Sequence, residues 1–229
     1  HTSCQKVKAY LEKRNRALAR DFYNLSWDEH EMEGYEEAAK DCVEWADEMD
    51  AARAQNGTDE PYGGRKARTY KHFIISPDPD DDIDLPALRE LAGAWAMRFF
   101  GDFQVAIVYH DDNEHRIPHA HIVVNNTNVE TGRRLHVPQP KELNRDLQQM
   151  ARERGLGYLA DEHHLYDKKA KGGSRRTAQR EYKGRAERRI EREDGYSWVA
   201  DIREGARTAR ALSTDEASYR ELLGILGVE

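Results

Sequence analysis

The 229-residue chain predicts an α+β domain: a central antiparallel sheet, ferredoxin-like or palm-like, with helices on one face and a C-terminal helical extension. Three observations carry that expectation. The runs TYKHFIIS (69–76), FQVAIVYH (103–110) and HAHIVVNN (119–126) are rich in β-branched and aromatic residues and end at turn-forming clusters. Between the first two, Leu88, Leu91, Ala92, Trp95 and Phe99 recur at steps of three and four, the period of a helix packed on one side. The resulting order of strand, helix, strand, strand, helix folds most simply as one sheet with its helices packed on it.

Taken in order, KVKAYLEKRNRALARDFYNL places Val7, Tyr10, Leu11, Leu18, Phe22 and Leu25 at largely helical spacing, and a helix is expected over 3–20 with Ser3 as its cap. A second, acidic helical stretch is expected from Trp27 to Ala54, with Met32, Tyr35, Val43, Trp45 and Met49 packing. NGTDEPYGG (56–64) then breaks the chain. Asp84 and Pro86 suit the start of the helix that follows the first strand run. Positions 141–154 are helical again, and SWVADIREGARTARAL and DEASYRELLGILGV form two more helices. The expected division is a catalytic domain over 1–160, containing the acidic segment 24–60, and a basic arm with C-terminal helices over 161–229.

No apolar run approaches the roughly 20 residues of a membrane helix and no signal-like start is present, so a soluble protein without membrane insertion is expected. Cys4 and Cys42 fit no metal-binding spacing and suit a reducing compartment. The net charge of −7 argues at first against a nucleic-acid partner, but its distribution matters more than its sum. Positions 24–60 hold thirteen acidic residues against Lys40 and Arg53, whereas 168–192 hold eleven basic residues against Glu181, Glu187 and Glu191.

The sharpest local signal is YHDDNEHRIPHAHIVVNN. Residues two apart in a strand share a face, so His119 and His121 project side by side, and the hairpin brings His110 close to them. Three imidazoles suit a divalent transition metal with positions left for a substrate oxygen. An isolated pair of strand histidines more often faces solvent. Four histidines in twelve residues, beside Asp111, Asp112 and Glu114, shift that balance towards a metal site. Asp112 or Glu114 could replace His110 as third ligand or orient a histidine. His115 reads as a loop residue.

At these residues the sequence resembles the relaxases, mobilisation proteins of the HUH endonuclease superfamily that start conjugative plasmid transfer. YHDD followed by PHAHIVVNN is similar to their metal motif and maps onto His110, His119 and His121; KVKAYLEKRNRAL is similar to their N-terminal tyrosine motif and maps onto Tyr10. TYKHFIIS resembles the strand before their central helix, and SWVADIREGARTA and SYRELLGILGVE their closing helices. Two departures stand out: an eight-residue loop between His110 and His119, which leaves the third ligand open, and the acidic segment 24–60.

The resemblance implies strand-specific nicking and rejoining at a plasmid transfer origin, through attack by a tyrosine that leaves a 5′-phosphotyrosyl intermediate. Tyr10 is the nucleophile it implies and Tyr23 the runner-up, with His72 and Asn125 as support for the site. It implies one divalent ion, manganese or magnesium in function, with zinc or nickel also suited to imidazole. The expected partner is single-stranded origin DNA, held by Lys13, Arg14, Arg65, Lys66, Arg68, Lys168, Lys169, Arg175 and Arg176. Relaxosome accessory and coupling proteins, a bacterial cytoplasmic location and transfer to the recipient attached to DNA follow from the same resemblance. The rivals are a rolling-circle replication initiator or transposase of the superfamily, whose tyrosine follows the histidines, and a non-catalytic plasmid DNA-binding accessory protein. A small-molecule metallohydrolase would not explain the basic arm.

Overall fold

The computed structural model describes residues 3–32, 36–113, 116–137, 139–157, 159 and 198–228. Four strands form one antiparallel sheet in the order β1-β3-β4-β2: β1 (Ala19–Tyr23), β2 (Tyr70–Ile75), β3 (Phe103–His110) and β4 (His119–Asn128). β3 and β4 make the central hairpin. Helix α3 (Leu85–Phe100) carries the chain from edge strand β2 over β4 to β3, so β2 and β3 run parallel with β4 between them. The α+β class, the antiparallel sheet and the C-terminal helical part are those expected.

Each strand alternates its side chains between two covered faces. On one face Val105, Ile107, Tyr109, Ala120, Ile122 and Val124 pack under α3 and α4 (Pro140–Glu153). On the other, Ala106, Val108 and Val123 pack with α1 (Cys4–Leu11), α2 (Trp45–Asn56), α5 (Trp198–Leu212) and α6 (Glu216–Ile225), which supply Val7, Leu11, Trp45, Met49, Ala209 and Leu222. Helices therefore lie on both faces, where the sequence pattern suggested one. The signal was present in β3 and β4 as a continuous apolar run, which a sheet covered on both sides requires.

The N-terminal expectation is corrected. Ser3 caps α1, its Oγ accepting from Gln5 N at 3.0 Å, but the helix stops at Leu11. A 3-10 turn at Lys13–Asn15 with Arg14 in the left-handed region (φ 58°) redirects the chain into β1. Residues 19–23 read as helical because Phe22 is buried on one face and Ala19 and Tyr23 on the other, so no polar alternation marks the strand. The acidic segment is only partly helical: a 3-10 stretch at Glu37–Cys42 and then α2.

That segment seals the free edge of β1. Arg20 N donates to Glu37 Oε1 at 2.5 Å, Phe22 N to Glu29 Oε1 at 3.2 Å and Asn24 N to Asp28 Oδ2 at 2.7 Å, while the Lys40 ammonium donates to Arg20 O at 2.6 Å. Acidic side chains thus satisfy an edge strand's outward amides and leave no template for another strand. Lys40, only 3% exposed, also pairs with Asp21 (3.3 Å) and Glu29 (2.7 Å). Asp21 in turn accepts from the Tyr109 hydroxyl at 2.7 Å and from Arg89 of α3.

Removing one member of a buried charge network leaves its partners uncompensated, at a cost of about 3–5 kcal/mol. Lys40→Met is therefore expected to lower unfolding free energy by that amount, read from urea denaturation. A loss under about 1 kcal/mol would mean that the network is not what holds the edge.

Candidate active site

The β3–β4 register pairs His110 with His119, and the alternation along β4 puts His121 on the same face. The three imidazoles, all buried, have ring centroids 4.8–5.5 Å apart, and one nitrogen from each lies within 4.8 Å of the others. Their remaining nitrogens are engaged by the protein. His110 Nε2 donates to Leu11 O at 2.7 Å, since a carbonyl can only accept. His121 Nδ1 lies 3.1 Å from His72 Nε2, and His119 Nδ1 lies 3.4 Å from Ile117 O and 3.3 Å from Asn113 Nδ2. This is the arrangement that orients imidazoles for a cation, one nitrogen held and one directed into the cluster.

Burial pushes the pKa of all three below the ordinary value; neighbouring histidines add to the shift at His110 and His121, and Asp112 opposes it at His119. His72, also buried, is pushed down to about 3. Neutral imidazoles packed this closely are the donor set a divalent transition ion takes up. The cluster fits such an ion and could hold one. Asp112 sits beside it, 3.5 Å from His119 Nε2 and 3.1 Å from Arg16, while Glu114 falls outside the described residues, as does His115.

Tyr10, in the last turn of α1, lines the same pocket as the three histidines, with 9% of its surface exposed. The Arg16 guanidinium stacks 4.3 Å from the centre of its ring and donates to Tyr10 O and Leu11 O, so the turn after α1 folds back over the tyrosine. Burial raises the Tyr10 phenol above its usual pKa and Arg16 opposes that rise. Leu212, Thr214, Ser218 and Leu222 from α5, α6 and their connection close the pocket from the other side.

The remaining predicted residues are dispersed. Tyr23 points into the opposite face of the sheet, against Gly93 of α3, away from the histidines. Asn125 faces the histidine side but belongs to another polar cluster, accepting from Arg53 at 3.1 Å and donating to Gln104 at 2.8 Å. His72 does reach the site, through His121. Lys13 and Arg14 are exposed in the turn after α1, and Arg65, Lys66 and Arg68 are exposed between α2 and β2. Lys168, Lys169, Arg175 and Arg176 fall outside the described residues. Sequence reasoning missed Asn113, Thr214 and Ser218. The last two lie almost a hundred residues from the motif, and no local pattern marks them.

A family model described as "Relaxase: MobA/VirD2-like, nuclease domain" matches residues 23–156, the stretch that carries β2, β3, β4 and all three histidines. Comparison with curated proteins and with solved structures found no match. Tyr10 precedes the matched stretch, so its place at the site rests on the geometry.

Two outcomes follow for the isolated protein. Manganese at about 100 times its dissociation constant should add about 2.7 kcal/mol of stability, seen as a rise in Tm that EDTA reverses and His119→Ala abolishes. In EDTA the histidines act alone. Their folded pKa values lie below 6.5, so the unfolded chain binds more protons as the pH falls past 6.5. Stability is therefore full above that pH and lost below it, by about 1.4 kcal/mol per unit for each histidine still neutral when folded. A flat profile between pH 6.5 and 4 would show that the cluster is open to water.

Proposed function

The chain belongs to the relaxase family, and from that premise we propose that it nicks one DNA strand at a plasmid transfer origin with Tyr10 as nucleophile, for conjugative mobilisation. The observation that carries this reading is the shared pocket: the Tyr10 ring and the three histidines face one another although 100 residues separate Tyr10 from His110.

His110, His119 and His121 would hold a divalent ion, manganese or magnesium in the cell, which when bound would supply Lewis-acid polarisation of a phosphoryl oxygen. The protein's own groups do the rest. α1 aims the Tyr10 hydroxyl into the pocket, where its oxygen attacks phosphorus in line with the departing 3′ oxygen. The bond to Tyr10 forms as the bond to the 3′ oxygen breaks, which leaves a 5′-phosphotyrosine and a 3′-hydroxyl. The phenol must lose a proton and the 3′ oxygen gain one; Asp112, whose charge is felt at Tyr10, is the carboxylate placed to take part. The Arg16 guanidinium offsets negative charge on the phenolate and the phosphate. With its Nε2 turned to the ion, His121 would donate from Nδ1 to His72 Nε2, and His72 so holds that ring's tautomer. Because the phosphodiester energy is kept in the tyrosyl ester, the same site can reseal the strand.

Single-stranded DNA is the substrate this chemistry needs, with basic side chains outside the pocket to hold it. A bacterial cytoplasmic site of action, accessory and coupling partners and transfer attached to DNA complete the proposal. No helix among the described residues is long and apolar enough to cross a membrane.

Incubation with single-stranded origin oligonucleotides and Mn²⁺ should yield an SDS-resistant adduct that maps to Tyr10. Tyr10→Phe should abolish it without weakening DNA binding, and His119→Ala should slow it by about two orders of magnitude or more. An adduct on a later tyrosine would transfer the role to that residue and favour a replication-initiator arrangement. Binding without any adduct would favour an accessory protein.

A further inference from the structure

Far from the histidines, the connection between α2 and β2 carries the most exposed large hydrophobic side chain described, Tyr62, at 75%. Its position is built. Tyr62 N donates to Arg65 O at 3.0 Å and Arg65 N returns to Tyr62 O at 3.1 Å, closing a two-residue turn. Gly63 and Gly64 occupy that turn at φ 58° and 73°, the positive values that primed hairpin turns require and side chains disfavour. The Arg134 guanidinium lies 5.6 Å from the centre of the Tyr62 ring and is itself pinned by donation to Gly57 O (3.1 Å) and Glu60 O (2.7 Å). Tyr62 is thus a phenol ring held by a short rigid turn and a fixed cation, with most of its surface open to water.

A ring left so open to water contributes little burial to the fold beyond its contact with Arg134. What surrounds the ring suggests its use. Arg65, Lys66, Arg68 and Arg133 are exposed nearby, against the acidic Asp59, Glu60 and Glu130. A flat aromatic held within a basic surface is the platform on which bases of a single strand stack, with cations for the phosphates beside them. Arg134 pairs with Thr127 at the end of β4, six residues from His121, which puts this surface roughly 20 Å from the metal cluster along the strand.

We propose that Tyr62 is a base-stacking platform for single-stranded DNA, distinct from the cleavage site and engaging the strand some nucleotides from the nick. The inference rests on the DNA reading above and goes beyond it, because none of the basic residues named from sequence supplies stacking.

Affinity for a fluorescein-labelled dT20 strand, measured by anisotropy in EDTA so that no cleavage occurs, tests it. Tyr62→Ala and Tyr62→Leu should each weaken binding roughly 10- to 100-fold, the loss of one stacked base. Tyr62→Phe should bind as the native chain does. Tyr62→Trp should also bind, and its emission, taken as the difference from the native protein, should be quenched on adding DNA. Unchanged affinity in Tyr62→Ala, or an unquenched Tyr62→Trp with DNA bound, overturns the proposal; if the Tyr10 adduct still forms, the nuclease reading stands. No binding of the strand by the native chain, or the Leu variant binding as well as Phe, overturns it too, and in the first case the DNA reading falls with it.

Discussion

The antiparallel register of β3 against β4 is the constraint on which the rest depends. With His110 opposite His119, the two-residue period of β4 sends His119 and His121 to one side and Ala120, Ile122 and Val124 to the other. A slip of one residue would exchange these sets, burying imidazoles under α3 and exposing the aliphatic stripe to the site. The register is therefore held from both faces. Trp95 and Phe100 of α3 pack with Phe73 of β2 on one side, at centroid distances of 5.2–5.9 Å, and α1 and α2 cover the other. The same hairpin fixes α1, since the His110 imidazole donates to the carbonyl of Leu11, the residue after Tyr10. One hydrogen bond thus links the histidine cluster to the turn that carries the candidate nucleophile.

The acidic segment resolves the conflict between a net charge of −7 and a nucleic-acid substrate. Many of its carboxylates face inward or along the chain. Glu29 and Glu37 take amides of β1 and Asp28 that of Asn24 just after it, Glu44 pairs with Lys8, Asp47 and Asp50 take donors from the start of α1, and Glu48 takes Ser26. These groups serve as hydrogen-bond acceptors for an edge strand and a helix start, so they repel a polyanion less than their number suggests. Asp50 also pairs with Arg53, which reaches Asn125 on β4, so α1, α2 and the sheet share one buried polar joint.

The central hairpin, the long helix α3 and the histidine cluster were legible because each rests on short-range periodicity: two for strands, 3.6 for helices, and i to i+2 for the paired histidines. β1 was not. Its two faces are both buried, so Phe22 and Tyr23 register as neighbouring apolar residues and extend the helical spacing that begins before Tyr10. The helices on the second face were seen as helices but not placed, since amphipathicity says that a face is covered and not by what.

By itself, the sequence determined the α+β class and marked out the three histidines and, through the family resemblance, the candidate tyrosine, because these are properties of neighbours along the chain or of a motif with fixed spacing. Only the tertiary structure decided that Tyr10 and not Tyr23 faces the histidines, that Arg16 stacks on it, that Asn125 serves a different cluster, and that α5 and α6 close the pocket. The physical reason is the same in each case. Which face of a sheet a side chain enters, and which distant helix meets it there, is settled by strand order and the burial of both faces at once, and no local pattern encodes either.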